Sequence, residues 1–416
     1  MTKNVSFLGS LLLVMMLCSC SNGKEVVEKI EDTTGKVSFS LNFSDVSNMF
    51  STRAAVKSTA VPTTSWDSIK SLEVLLYDEN GVIKYANLST NLPATDGQNQ
   101  KKYTYTDVPV GKYTLVVVGN TNLDDRITTN IGSVAQLWNS FNVRQKDVST
   151  LALTHKPGEF PEFLKKSMVD NNKKAFVEPA EIFIGKAAGV VEIKSSEVTN
   201  VPAFSLKREV SLMRIRLNVK DTEAGVVNEN VANGVDFTQN ASIMIHRLPK
   251  DFSVKADNTG GVNKLSEKDN ILSIAGDDIF KTVDPTTGYN PTKILSGNFS
   301  MWRDIVVFPN NDGRADDNSN VLAKADRIYQ VVISGLGKAG HVLANGTKLQ
   351  EDTTIYWSGL VKEKFLPNQI REVNLTLKSG GTTEVIVDPK EEGGLIINLG
   401  NPEPWDSNIV VSEIIL

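Results

Sequence analysis

Three kinds of residue in this chain offer chemistry: a cysteine placed for lipid attachment, an arginine placed for cleavage, and scattered side chains of metal- or sugar-binding type. Cys20 ends Leu17-Cys18-Ser19-Cys20, with Leu at −3 and a small residue at −1, the spacing of a bacterial lipobox whose last thiol takes the lipid. Lys3 and the apolar run Val5 to Leu17 precede it. That run of about thirteen residues suits a signal-peptide core and is too short to span a bilayer. Arg53 stands alone among small residues in Ser51-Thr52-Arg53-Ala54-Ala55, a stretch with no strand or helix pattern. Such a site is open to an arginine-specific protease, with Ala54 as the new first residue.

The remaining candidates point to blander roles. Gly335-Leu336-Gly337-Lys338-Ala339-Gly340 has G-x-G-x-x-G spacing, but a second turn follows it where a dinucleotide site needs a helix, so a hairpin loop is expected. In Asn310 to Asp317 an EF-hand register would put Phe308 at the first ligand position, where an acid is required. His155, His246 and His341 are far apart and lack zinc-ligand spacing, so they read as core or solvated histidines, with no metal and no cofactor. No G-x-S-x-G elbow occurs and no carboxylate pair stands out, so no catalytic residue is assigned and an enzyme is not expected. Trp66, Trp138, Trp302, Trp357 and Trp405 suit a sugar site less well than core or strand-end places. Lys207-Arg208 and Arg214-x-Arg216 read as the solvated face of a strand.

These residues need elements to hold them. The chain has 416 residues, net charge −5, a pI near 5.5, and 40% hydrophobic and 22% charged content. That is an ordinary globular composition with room for two cores, and its acidity argues against nucleic acid as a partner. Both cysteines lie in the leader, so the body is held by packing rather than disulfides.

The clearest element is Lys36 to Ser44. Val37, Phe39, Leu41 and Phe43 face one way against Ser38, Ser40 and Asn42, the period-two mark of a half-buried strand. Further strands are expected at Ser68–Leu76, at Val82–Tyr85 after the turn Asp78-Glu79-Asn80-Gly81, and on both sides of the Pro109–Gly111 turn within Tyr103–Asn120. Ile131–Ser140 reads as a short helix, and Ile182–Gly185 and Gly189–Ile193 as strands. A second domain opens near Val201 with Leu212–Val219, followed by strands at Ala241–Ile245, Ile305–Phe308, Arg327–Ser334, Thr354–Trp357 and Glu372–Leu377. Many short strands with little helical periodicity imply an all-β protein of sandwich domains. The chain ends with Ile409, Val410, Val411, Ile414, Ile415 and Leu416 crowded into its last eight positions, an apolar strand that must be paired with something.

Taken in order, the lipobox at Cys20, the alternating strand followed by Arg53-Ala54, Arg208 to Val219, Asn368-Gln369-Ile370-Arg371-Glu372-Val373-Asn374-Leu375-Thr376-Leu377 and the Trp405-containing terminal strand resemble the fimbrillin family, the shaft subunits of type V pili. The resemblance implies two transthyretin-like β-sandwich domains in tandem, with exchangeable N-terminal and C-terminal strands. It divides the chain into a lipoprotein signal peptide (1–20), a propeptide carrying a plug strand (21–53), an N-terminal sandwich (54–200), a C-terminal sandwich (201–400) and a donor strand (401–416). The plug is Val37, Phe39, Leu41 and Phe43. The donor is Trp405, Ile409, Val411, Ile414, Ile415 and Leu416, and apolar residues on both its faces leave its register open. The implied partners are other copies of the chain, accessory anchor and tip subunits, an arginine-specific surface protease, and the outer membrane through the precursor's lipid. The role expected is a cell-surface fimbrial shaft subunit serving adhesion or biofilm formation. An accessory anchor or tip subunit and a monomeric glycan-binding lipoprotein are the alternatives.

Overall fold

The computed structural model describes residues 33–43, 66–96, 100–120, 127–129, 152–218, 228–249, 252–253, 266–276, 281–282, 300–309, 329–361, 365–385, 395–399 and 403–404. These residues form an all-β molecule with two helices longer than one turn, Glu162–Asp170 and Glu229–Gly234.

Nine strands from Thr34 to Arg208 hydrogen-bond into one sheet folded on itself. On one side Gly111–Gly119, strongly apolar after its glycine turn, lies between Leu72–Tyr77 and Phe183–Lys186, and Leu72–Tyr77 makes a hairpin with Ile83–Ser89. On the other side Thr34–Phe43 lies beside Lys101–Pro109. Phe204–Arg208 joins the two, pairing with the N-terminal strand through Phe204 to Leu206 and with Phe183–Lys186 through Lys207 and Arg208. Val37, Phe39, Leu41, Leu72, Val74, Leu76, Leu115, Val117, Phe183 and Leu206 share one buried core. The turn Asp78 to Gly81 is held by the Asp78 carboxylate, which accepts from the Asn80 and Val82 N–H groups, with Gly81 at φ 79°.

A second core begins at Met213. Ser211–Asn218 lies between antiparallel Ser300–Val307 and parallel Gln369–Leu377, whose outer edge carries Leu395–Leu399 and Glu403–Pro404. The facing sheet runs from Thr353–Val361 through Tyr329–Gly337 and Ser242–Pro249 to Ser266–Ala275. Met213, Ile215, Leu217, Val373 and Leu375 meet Ile243, Ile245, Val331, Ile333 and Trp357 between the layers. The facing sheet is buried on its outer side as well. There Leu164 and Met168 of the helix, with Phe160 and Ala175, cover Met244, Ile271, Val332 and Tyr356. Lys174–Phe176 adds a parallel strand to this sheet, although it precedes in sequence the strands that finish the first one. Burial on both sides explains why Ile243, Met244 and Ile245 are apolar in succession rather than alternating with polar residues.

Candidate functional site

The strand that sequence analysis singled out spans Thr34–Phe43 and sits inside a sheet, with partners along both edges. Antiparallel pairs run from Thr34↔Pro109 to Leu41↔Lys101 on one side. On the other it is parallel to two successive strands, Lys36↔Val198 to Ser38↔Asn200 and then Leu41↔Phe204 to Phe43↔Leu206. The Val201 N–H donates to the Ser38 carbonyl at 2.8 Å, and the Lys36 N–H to the Glu197 carbonyl at 2.9 Å. Ser38 points away from the apolar face but is itself buried, its hydroxyl donating to the Tyr103 carbonyl at 3.2 Å.

The inward face packs against the first core along its whole length. Val37 and Leu41 are fully buried and Phe39 is 2% exposed, while Phe43 is partly buried against the same core. The Phe39 ring lies 5.8 Å from Tyr103, 5.9 Å from Tyr105 and 5.4 Å from Phe204. Phe43 lies 4.8 Å from Trp66 and 5.9 Å from Phe183. Burial pushes the Tyr103 and Tyr105 hydroxyls up, and that of Tyr85, beside Tyr105, to about 12. At the strand's start, Gly35 passes so close to the next turn that a Cβ there would stand 2.1 Å from the Lys194 carbonyl oxygen. Only glycine fits at this point, and the ladder shifts register between Gly35 and Val37.

The walls around this strand were not named from the sequence. Tyr103 and Tyr105 carried a signal, the i, i+2 spacing of Tyr-Thr-Tyr. Trp66 and Phe183 fall where a core residue and a strand were expected, but nothing in the sequence marks them or Phe204 as neighbours of this strand.

Beyond Phe43 the wall continues into a polar joint. The Arg208 guanidinium stacks 5.1 Å from the Phe183 ring centre. Its Nε and Nη2 donate to one Glu181 oxygen at 3.1 and 2.9 Å, and its Nη1 to the Asn368 side-chain oxygen at 3.3 Å. Arg214 is buried too, donating to both oxygens of Asp304 at 2.7 and 2.9 Å. The solvated basic face expected from Lys207-Arg208 and Arg214-x-Arg216 is therefore corrected. Lys207 is exposed and Arg216 is half-buried beside Glu372, but Arg208 and Arg214 are buried and paired with partly exposed carboxylates 27 and 90 positions away.

Other expectations sort simply. Gly335 and Gly337 end the strand Tyr329–Gly337 and lead into a turn, as a hairpin requires. His155, His246 and His341 are all buried, and Trp66 and Trp357 are core residues. Among the described residues no cluster of His, Cys, Asp or Glu could hold a metal, and no helix is long and apolar enough to cross a membrane. Cys20, Arg53, Ala54, Trp405, Ile409, Val411, Ile414, Ile415 and Leu416 lie outside the described residues, as do Ile131–Ser140 and Asn310–Asp317.

A family model described as fimbrillin-A associated anchor proteins Mfa1 and Mfa2 matches residues 30–322. The chain belongs to this family. The Mfa1/Mfa2 family is one of fimbrial subunits and anchors, so the expectation of a fimbrillin-type protein holds. Among solved structures the chain is similar to a fimbrilin from Porphyromonas gingivalis, with 15% identity, TM-score 0.41, and 92% of this chain and 99% of that one covered. It is similar to the fimbrial anchor protein Mfa2 of the same organism at 10% identity and TM-score 0.40, covering 82% and 90%. A fimbrial assembly protein from Parabacteroides distasonis gives 13% identity and TM-score 0.39, covering 88% and 99%. No curated protein matches the chain by sequence.

Proposed function

We propose that this family member is a cell-surface fimbrial subunit that joins its neighbours by exchanging the strand Thr34–Phe43 for one supplied by another subunit. In this reading the precursor is exported with lipid on Cys20 and anchored in the outer membrane. It is then cut after Arg53, losing everything before Ala54. The supporting observation is the strand's position: it is internal, paired on both edges, and joined to the body only through the stretch that contains Arg53.

Its departure would leave two unpaired sheet edges facing an apolar floor, a template that accepts an added strand. Four large side chains buried there contribute about 6–12 kcal/mol gross, at ~1.5–3 each, before the cost of ordering the incoming segment. The apolar tail that includes Trp405, Ile409, Val411, Ile414, Ile415 and Leu416 is the segment this chain would offer in turn. A donor tail and an acceptor groove are different surfaces, so the contact need not close and a fibre results. This supports a shaft role among copies of the chain.

An accessory anchor role is favoured by one observation, the family description that names anchor proteins. An anchor would keep its lipid and its first strand. N-terminal sequencing of protein taken from the cell exterior separates the two, Ala54 being expected for the shaft and lipidated Cys20 for the anchor. Fibres sheared from cells and run unboiled should show this chain in a ladder that Arg53→Ala removes. A ladder that survives Arg53→Ala would reject processing at this site.

A further inference from the structure

We propose that the groove around Thr34–Phe43 selects for aromatic side chains, and so holds a strand from a different subunit more tightly than this chain's own tail. The inference rests on the exchange reading above and names the partner of that same groove.

The strand now in place presents Val37, Phe39, Leu41 and Phe43 inward, an alternation of aliphatic and aromatic residues. Each aromatic has its own built surroundings, made entirely of residues outside the strand. Phe39 is enclosed by the rings of Tyr103, Tyr105 and Phe204 at 5.4 to 5.9 Å. Tyr103 and Tyr105 are stacked at 5° to each other and Tyr105 is braced edge-on by Tyr85, so this wall is held in place by neighbours other than Phe39. Phe43 fits between Trp66 and Phe183, with Lys101 over the Trp66 ring and Arg208 over Phe183. Offset and edge-on ring contacts of this kind are lost when an aliphatic side chain takes the place, and a smaller group leaves a cavity that a packed wall does not close.

The tail meets these demands poorly in every register. Asp406 to Leu416 contains no aromatic residue. One alternation presents Val410, Ser412, Ile414 and Leu416, the other Ile409, Val411, Glu413 and Ile415, so a hydroxyl or a carboxylate enters the groove either way. Within Trp405 to Leu416 the one aromatic ring is that of Trp405, which directly follows Glu403–Pro404, and these are paired with Gln369 and Ile370. Setting Trp405 in the place of Phe39 puts Glu403 where Val37 or Leu41 lies, and breaks that pairing. Copy-to-copy joints are therefore the weaker ones, and the preferred donor is a foreign strand with aromatics two positions apart from aliphatics.

The test uses full-length protein cleaved at Arg53 and four labelled peptides: Lys36–Ser44, the same with Phe39→Leu, Asn408–Leu416, and the last with Ser412→Phe. The Lys36–Ser44 peptide should bind at least about tenfold tighter than its Phe39→Leu form and than the native tail, and Ser412→Phe should recover about tenfold. Phe204→Leu in the protein should shrink the gap between the Lys36–Ser44 peptide and its Phe39→Leu form. Equal binding of the native tail and the Lys36–Ser44 peptide would overturn aromatic selection while leaving exchange intact. If no peptide binds after cleavage is verified, the exchange reading fails and the selection falls with it.

Discussion

Each half of the molecule contains a parallel strand pair closed across a long stretch of sequence, and the two pairs differ in how the chain holds them. In the second half Ser211–Asn218 lies along Gln369–Leu377 from Leu212↔Ile370 to Asn218↔Thr376. Only Glu209 and Val210 separate Ser211 from the strand Phe204–Arg208, so a short covalent link ties this pair to the first core. In the first half Thr34–Phe43 lies along Val198–Asn200 and Phe204–Leu206, and the next described residue of the chain is Trp66, in the same core. Parallel pairing always requires a crossover. What differs is how a cut in the chain would leave the strand: in the first half, a cut within residues 44–65 would leave Thr34–Phe43 joined to its core by pairing and packing alone.

The sharpest way to break this contrast is to delete one strand from each half. Loss of Thr34–Phe43 should leave the first half without cooperative unfolding, since an internal strand and about 6–12 kcal/mol of gross apolar burial go with it. Deleting Leu395–Leu399, which lies along Gln369–Leu377, should leave the second half folded with a lower midpoint. Hydrogen exchange resolved by segment is the measurement, and equal loss of protection in both deletions would end the distinction. Next in size is Phe39→Ala, expected to cost about 3–5 kcal/mol and to lower only the first-half transition, whereas Trp357→Ala should lower only the second by a similar amount. A single transition shifted alike by both would mean that the halves unfold as one.

How much of this was legible in the sequence depends on how local the cause was. The Thr34–Phe43 strand was legible because its four inward residues repeat at period two. The Asp78–Gly81 turn was legible because its own carboxylate and glycine make it. The partners of that strand were not, because a parallel register some 160 residues away leaves no mark on either segment. The helix Glu162–Asp170 went unread although Leu164 and Met168 stand four apart on its buried side, directly after Pro161. Arg208 and Arg214 looked like solvent-facing charges because alternation reports side, not depth. The carboxylates that let them be buried come from other strands.

Arg208 sharpens the comparison at the place where the halves meet. It links Glu181 to Asn368, and through Phe183 it backs the place of Phe43. Arg208→Ala leaves Glu181 without its guanidinium and removes the support behind Phe183. A cost of about 2–3 kcal/mol is expected, below that of a deeply buried pair because the Glu181 side chain keeps 30% exposure. Glu181→Gln should cost less, and the double variant little more than Arg208→Ala alone. Strict additivity in that cycle would show that the pair is not coupled.

The last expected effect comes from pH, and in acid it separates the halves. Burial pushes His155 and His246 down to about 3, with Lys173 and Arg247 adding to the effect at His246. His155 lies 4.3 Å from the Phe308 ring and His246 in the strand Ser242–Pro249, both in the second half. Above about 6.5 each is neutral whether folded or not, and contributes nothing to the pH dependence. Below it the unfolded chain takes protons that the folded one refuses, so stability falls between pH 6.5 and 3 by on the order of 1 kcal/mol per group per pH unit. None of the three histidines packs in the first core; its tyrosines, with partly buried Tyr85 pushed up to about 12, weaken it only as pH rises above 10. Alkali acts on both halves, since burial also pushes Tyr356 up to about 12. Acid is therefore the selective condition. At pH 5 hydrogen exchange should open Ser242–Pro249 before Thr34–Phe43, and replacing both histidines with leucine or glutamine should cancel the difference. Earlier opening of Thr34–Phe43 at that pH would mean that this strand, and not the histidine-bearing sheet, is the weaker element in acid.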